Sequence, residues 1–262
     1  MGKVWTIVSG KGGVGKSTIA VMLGLVAAEN SGSVLLIDGD IGSRSLDILL
    51  NMEDKIVYDM GDFFVGRCDL GQAIYSCDCI SGLYLMAAGQ NAKISNFEIT
   101  HAQKLIKSLK ERYDMVIIDC PPGLGKVVEV FATCGDETII VASPDPVSIR
   151  CAEKAASFLW NQYQLSANLL FNKVINSKKV KDKFPAIARF MDLKYLGMIP
   201  NLQRLYEQAV ETGHIVACVQ EEPLHTTVQR ILASLQGSKT VQTGGRFFQN
   251  LLNRLRREKH YG

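Results

Sequence analysis

The sequence lacks every long hydrophobic run. No apolar stretch approaches the ~20 residues that a membrane-spanning helix needs, so no transmembrane segment is expected. Lys11 and Lys16 break up the apolar core a secretory leader would require, so a signal peptide is not expected either. Met1-Gly2-Lys3-Val4-Trp5-Thr6 fits a loose myristoylation pattern, but the residues after Gly2 read as the first strand. A disulfide framework is also lacking. The seven cysteines (Cys68, Cys77, Cys79, Cys120, Cys134, Cys151 and Cys218) are odd in number and scattered, which reads as reduced cytosolic thiols. Cys77-Asp78-Cys79 is the one close pair; without a matching second pair it supports no four-thiolate zinc site within one chain, and a metal shared across a dimer stays open. A strong charge bias is absent, since the net charge of +3 is too small to imply nucleic acid. What remains is ordinary for a folded soluble protein: 47% hydrophobic and 21% charged residues in a chain of 262, enough to bury a full core.

Against that plain background one segment stands out. Gly10-Lys11-Gly12-Gly13-Val14-Gly15-Lys16-Ser17-Thr18 contains the phosphate-binding pattern G-x-x-x-x-G-K-[ST]. The β-branched run Val4–Val8 precedes it as a buried strand, and Ile19–Leu23 follows as a helix. Glycines let backbone N–H groups turn inward around phosphate oxygens, and the helix N-terminus adds partial positive charge. In this pattern Lys16 reaches the β- and γ-phosphates of ATP, and the Ser17 hydroxyl is a ligand for Mg²⁺. Lys11 lies outside the general pattern, and its second cation inside the loop is unexplained by a single phosphate site.

Strands and helices alternate along the chain, which predicts a doubly wound, mostly parallel α/β sheet of the P-loop NTPase kind. The expected strands are Val4–Val8, Val34–Ile37, Leu83–Met86, Met115–Ile118, Thr138–Val141, Asn168–Phe171 and Tyr195–Ile199. Helices are expected over Glu98–Arg112, with Ile99, Ala102, Leu105, Ile106 and Leu109 on one face, and over Ser148–Tyr163, Leu202–Glu211 and Leu224–Leu235.

Two carboxylate motifs fall where such sheets bind ligands, beyond the carboxyl ends of strands. Asp38-Gly39-Asp40 closes the second strand, and either carboxylate suits an attacking water or a Mg²⁺-bound water. Asp119-Cys120-Pro121-Pro122-Gly123 closes another apolar strand. Asp119 there suits a Mg²⁺ shell, and Gly123 suits a flexible loop whose N–H meets the γ-phosphate.

The loop sequence K-G-G-x-G-K-[ST] resembles that of the deviant Walker A ATPases. Within them the chain is most similar to the MinD branch, through Ile37–Asp47, Val57-Tyr58-Asp59, Asp69–Ile74, Asp119–Gly123 and Pro144–Arg150. The likeness covers nearly the whole chain. It implies that Lys11 crosses a dimer interface to the partner's nucleotide, that Asp38 supports the ATP-bound dimer and that Asp40 is the hydrolytic switch aspartate. It implies further that Asn172 reads the adenine edge and that Pro200, Asn201 and Leu202 pack beside the base. Cys151 and Asn201-Leu202 depart from the branch, which commonly has Asp after the arginine matching Arg150 and a more acidic pair after the proline.

The C-terminus is a second signal. Gly237–Gly245 holds three glycines and few apolar residues, a flexible linker of residues 237–245 after an ATPase domain of residues 1–236. In residues 246–262, Phe247, Phe248, Leu251, Leu252 and Leu255 fall within an arc of ~140° if helical, with Arg254 and Arg256 at its edges. This tail has five Lys/Arg against one Glu and carries all the positive excess, leaving the body at −1. An apolar face with basic edges predicts an amphipathic helix on an anionic membrane. At ~1 kcal/mol per basic residue one tail binds weakly, whereas two on a dimer gain ~10²–10⁴-fold.

These features together predict an ATP-dependent, dimerising ATPase that attaches reversibly to the inner face of the membrane. The resemblance implies a role in division-site placement and regulatory partners of the MinC and MinE kind, with no specific nucleic acid. Rivals are a ParA-like partition ATPase, an iron–sulfur or metal maturation ATPase using Cys77 and Cys79, and a flagellar-number ATPase of the FlhG kind. The last often carries an N-terminal extension, whereas here the first strand begins almost at Met1.

Overall fold

Strands whose residues are apolar without alternation must be covered on both faces, and these are. A computed structural model describes residues 1–89, 99–175, 182–203, 207, 215, 219–220 and 222–237. Strands β1 (Lys3–Val8), β2 (Val34–Asp38), β3 (Tyr75–Ser76), β4 (Leu83–Met86), β5 (Met115–Asp119), β6 (Glu137–Ala142), β7 (Asn168–Val174) and β8 (Lys194–Pro200) form one sheet. Its order is β3-β4-β2-β5-β1-β6-β7-β8, parallel throughout except for β3 against β4. Every residue of β2 and β5 is buried.

Alternate strand residues feed two apolar layers. Trp5 and Ile7 join the layer of α1 (Lys16–Ser31), whereas Val4 and Val8 join the opposite one. Helix α1 is apolar nearly all round because it is covered twice, by the sheet and by the C-terminal helix Leu224–Gln236. The opposite layer is closed by α4 (Ile99–Arg112), α5 (Lys126–Cys134), α6 (Pro146–Tyr163) and α7 (Phe184–Phe190). Two short helices, α2 (Leu46–Leu49) and α3 (Met60–Phe64), follow β2, and Leu224–Gln236 is α8.

All seven expected strands form, within a few residues of the expected ends. Helix α4 buries the expected Ala102, Leu105, Ile106 and Leu109. Helix α6 starts at Pro146, two residues before the expected Ser148. Asp145 caps it by accepting from Ser148 N at 2.9 Å, and proline suits a first turn that needs no N–H. Helix α5 escaped the sequence because its β-branched residues argue against helix, and the burial of Val127, Val128, Val130 and Phe131 overrides that bias. Strand β3 is two residues long and carries no periodicity. The expected helix over Leu202–Glu211 lies largely outside the described residues, as do residues 238–245 of the linker and the whole tail with Phe247, Phe248, Leu251, Leu252, Arg254, Leu255 and Arg256. Among the described residues no helix is long and apolar enough to cross a membrane.

One contact ties core to site. The Phe131 ring, fully buried, presses on Gly39 so closely that a Cβ there would fall 2.8 Å from ring carbon Cε2 and 2.8 Å from the Asp119 carbonyl oxygen. Phe131→Ala should lower the unfolding free energy by ~3–5 kcal/mol, measured by urea denaturation. A loss below ~1 kcal/mol would show that neighbouring side chains fill the space without cost.

Candidate nucleotide site

The loop between β1 and α1 owes its path to glycine. Gly13 (φ 73°) and Gly15 (φ 91°) are left-handed, a region costly for side chains with a Cβ. Gly10 lies against α6, where a Cβ would stand 2.3 Å from the Cys151 carbonyl oxygen. The Ser9 hydroxyl donates to the Lys11 carbonyl at 2.8 Å and tightens the turn. Gly12 and Gly13 are exposed, Val14 and Thr18 are buried, and α1 opens with Lys16 and Ser17. An exposed loop ahead of the N-terminus of a sixteen-residue helix is an anion site of the expected kind.

The far flank of the loop is held by β7, through Asn172 and through Lys173, a residue the sequence did not single out. Asn172 Nδ2 donates to the Val14 carbonyl at 2.9 Å, and Lys173 Nζ donates to the Gly13 carbonyl at 2.7 Å. Lys173 has a left-handed backbone (φ 58°) at a shift in the β7–β8 register, which turns its side chain toward the loop. Asn172 thus sits at the site, with one of its two amide hydrogens given to the loop. Pro200 ends β8 opposite Val174, and Asn201 N donates to the Val174 carbonyl at 2.9 Å. Leu202 packs against the α1-side core.

The carboxylates meet because β2 and β5 are neighbours in register, Asp38 against Asp119. Asp38 is buried and accepts three backbone N–H groups, from Asp40 (3.0 Å), Ser45 (2.8 Å) and Leu46 (3.1 Å). It holds the β2–α2 loop in shape. Burial still raises its pKa, with those hydrogen bonds pulling back. Ser45 Oγ donates to Ser17 Oγ at 2.9 Å, and Arg44 pairs with buried Asp47, so this loop is stitched both to α1 and to itself. Neither residue had a signal beyond a short polar run.

Asp119 is different. It is almost fully buried, and neither side-chain oxygen has a hydrogen-bond partner among the described residues. Burial lifts its pKa to about 7; the nearby Ser17 hydroxyl and Lys16 ammonium pull it down, and Asp38 and Asp40 push it up. Half-buried Asp40 is raised by burial and lowered by Lys16. A buried carboxylate without donors, beside a serine hydroxyl and a second carboxylate, fits a hard divalent cation with oxygen ligands. Ser17, Asp40 and Asp119 are therefore suited to Mg²⁺ or its bound waters.

Two expectations meet a different geometry. Gly123 (φ 87°) turns its N–H onto the Ser9 carbonyl at 2.9 Å, so it is not offered to a phosphate here. Lys11 lies against its own chain, 3.5 Å from Asp145 Oδ1, with both side chains well exposed.

The family description ParA, NUBPL iron-transfer P-loop NTPase, matches residues 1–236. A septum site-determining protein MinD from Synechocystis sp. is 30% identical over 264 residues, spanning 98% of each chain. The chain belongs to the ParA/MinD family of P-loop NTPases. As a member it is an ATPase. The MinC:MinD cell division complex of Aquifex aeolicus superposes with a TM-score of 0.78 at 26% identity, covering 93% of this chain and 100% of that one. A MinD complexed with Mg-ADP from Pyrococcus horikoshii shares the fold, with a TM-score of 0.77 at 23% identity over 93% of this chain and 99% of that one.

Two outcomes are expected at the loop of this ATPase. Lys173→Met should weaken ADP binding roughly 3–10-fold, as loss of one exposed hydrogen bond of ordinary strength would, and Lys173→Arg should restore most of it. Calorimetric titration decides, and equal affinities in all three proteins would remove Lys173 from the site. For Asp119, the folded chain keeps a proton that the unfolded chain releases near its ordinary 3.8. Stability of the nucleotide-free protein should therefore fall as pH rises from about 4 to about 7 and level off above. Asp119→Asn should flatten that slope in thermal melts, and an unchanged slope would assign it to other groups.

Proposed function

We propose that this chain is a MinD-like switch that positions the division site: ATP joins two copies, the pair binds the membrane through paired C-terminal helices, and hydrolysis releases it. The observation that carries the reading is Lys11. The loop already has its phosphate lysine in Lys16, buried between the loop and Asp40 and Asp119, whereas Lys11 is exposed on the surface with a single exposed carboxylate for company. A cation so placed can swing to a nucleotide on a second copy. The MinD relative from Synechocystis sp., named as septum site-determining and aligned over almost its full length, supports the division-site part of the reading.

The roles proposed rest on the loop motif and the family resemblance, and the geometry supports them. Backbone N–H groups of Gly12, Gly13, Val14 and Gly15, with Lys16 and Thr18, bind the phosphates of ATP. Ser17, Asp40 and Asp119 hold Mg²⁺, which when bound supplies positive charge against the transferring phosphoryl group. Asp40, partly open to solvent, orients the attacking water. Asp38 fixes the loop that presents Asp40, and at the dimer stage that loop faces the other copy. Asn172 and the Pro200-Asn201-Leu202 segment flank the base.

Partners of the MinC and MinE kind are part of this proposal. The Aquifex aeolicus MinD is found with MinC, and the shared fold offers this chain the same class of regulator. A partition ATPase would need a basic body for DNA, and the body here is near neutral. An iron–sulfur or metal factor would need Cys77 and Cys79 near the joining surface. They lie at the amino end of β4, the end of the sheet opposite the phosphate loop.

Sedimentation with anionic liposomes tests the coupling. ATP should pellet the protein at least ~10-fold better than ADP, as two tails gain over one. Deleting residues 246–262 should abolish pelleting while leaving dimerisation intact. Asp40→Ala should give a stable dimer by light scattering with ATP and Mg²⁺ but no turnover. A single subunit in that variant, or equal pelleting in both nucleotides, would overturn the proposal.

A further inference from the structure

The β3–β4 hairpin carries chemistry that the nucleotide site does not use. Its turn begins at Cys77, whose N–H donates to the Leu83 carbonyl at 2.9 Å, and passes through Asp78 and Cys79. Cys77 is buried in the apolar layer that also holds Leu50 and Met52, while Cys79 is exposed. The Cys77 thiol stands beside the Cys79 sulfur as a donor, and the backbone N–H of Ile80 acts on that sulfur as well. Donors beside a sulfur favour its anion. Lys55, paired with Asp78, adds a cation beside the turn. The result is an exposed nucleophile with a second, sheltered thiol held against it.

We propose that Cys77 and Cys79 form a thiol–disulfide exchange site that closes to an intramolecular disulfide on meeting a low-molecular-weight disulfide. The Cys79 thiolate attacks one sulfur of the incoming disulfide, a new S–S bond forms to Cys79, and the other half leaves as a thiolate that takes a proton from water. The Cys77 thiol then loses its proton to solvent and attacks the Cys79 sulfur, expelling the second half as a thiol. The protein dithiol is oxidised by two electrons and the small disulfide is reduced to two thiols. The order of events follows from the surroundings. Cys79 is lowered to about 7, chiefly by the Cys77 hydrogen bond, and Cys77 is raised, chiefly by the same bond. Once Cys79 is in a mixed disulfide that cause vanishes; burial and Asp78 still hold the Cys77 pKa up, with Lys55 opposing them, so closure is the slower step. Closure across a single intervening residue makes a strained ring, which is readily reduced again.

Cys68 and Cys134 provide comparison within the same molecule, because burial raises both above 9.0. With Cys79 lowered and both of these raised, Cys79 should react roughly 5–10-fold faster at pH 7, its lower intrinsic nucleophilicity taking back part of its larger thiolate fraction. The test is incubation of the nucleotide-free protein with oxidised glutathione, followed by peptide mapping and intact mass. The wild type should lose two hydrogens with the cross-link mapped to Cys77–Cys79, and dithiothreitol should reverse it. Cys77→Ser should instead retain one glutathione on Cys79, and Cys79→Ser should leave Cys77 reduced. Cys79 reacting no faster than Cys68 and Cys134, or a wild-type adduct on Cys79 that does not resolve, would overturn the proposal.

Discussion

Charge crowding at the ends of β2 and β5 governs this molecule. Asp38 and Asp119 stand opposite each other in the sheet with Asp40 beside them, and buried Lys16 is the cation that acts on Asp40 and Asp119. The two buried carboxylates are treated in opposite ways. Asp38 receives three backbone donors and so becomes part of the frame. Asp119 receives none among the described residues and holds its proton to about 7. Burying an uncompensated carboxylate costs several kcal/mol, a burden the fold carries until positive charge arrives. Ligand binding that relieves it stabilises the native state by linkage. Nucleotide with its metal is therefore joined to the order of the very loops that would signal its presence.

The rest of the fold places those carboxylates within reach of the phosphate loop. Parallel strands buried on both faces fix register, because slipping by one residue would exchange the two core layers. Phe131 wedges under Gly39 and sets the height of the Asp38-Gly39-Asp40 corner. On the other flank, Asn172 and Lys173 tie β7 to the carbonyls of Val14 and Gly13. The loop is thereby held from both sides of the sheet while its glycines stay open for a ligand.

The strands and the loop were legible because their signals are local. A four- to six-residue apolar run rich in β-branched residues and bounded by turn residues reads as a covered strand, and the glycine pattern is read without knowing any partner. What the sequence hid depends on distant contacts. Helix α5 has the composition of a strand and is helical because its valines and Phe131 find a core. Ser45 reaches Ser17 across 28 positions, and Lys173 reaches Gly13 across 160. No spacing rule connects such pairs. Gly123 was expected to face phosphate, yet its turn closes on Ser9.

Lys11 then gains its meaning from how little holds it. Its contact with Asp145 is long and exposed, the sort of pair worth ~0–1 kcal/mol. Asp145 does not depend on it either, since it caps α6 through Ser148 N and accepts from the Ser143 hydroxyl at 2.6 Å. Departure of the lysine costs both partners little. A phosphate chain enclosed between two subunits offers a desolvated cluster of negative charge, where the same cation is worth far more than at a wet surface. In the proposed dimer, that inequality would draw Lys11 outward as a second copy closes over the nucleotide. On the proposed reading, a single chain would lack one of the cations its loop sequence provides for, and pairing would supply it from outside.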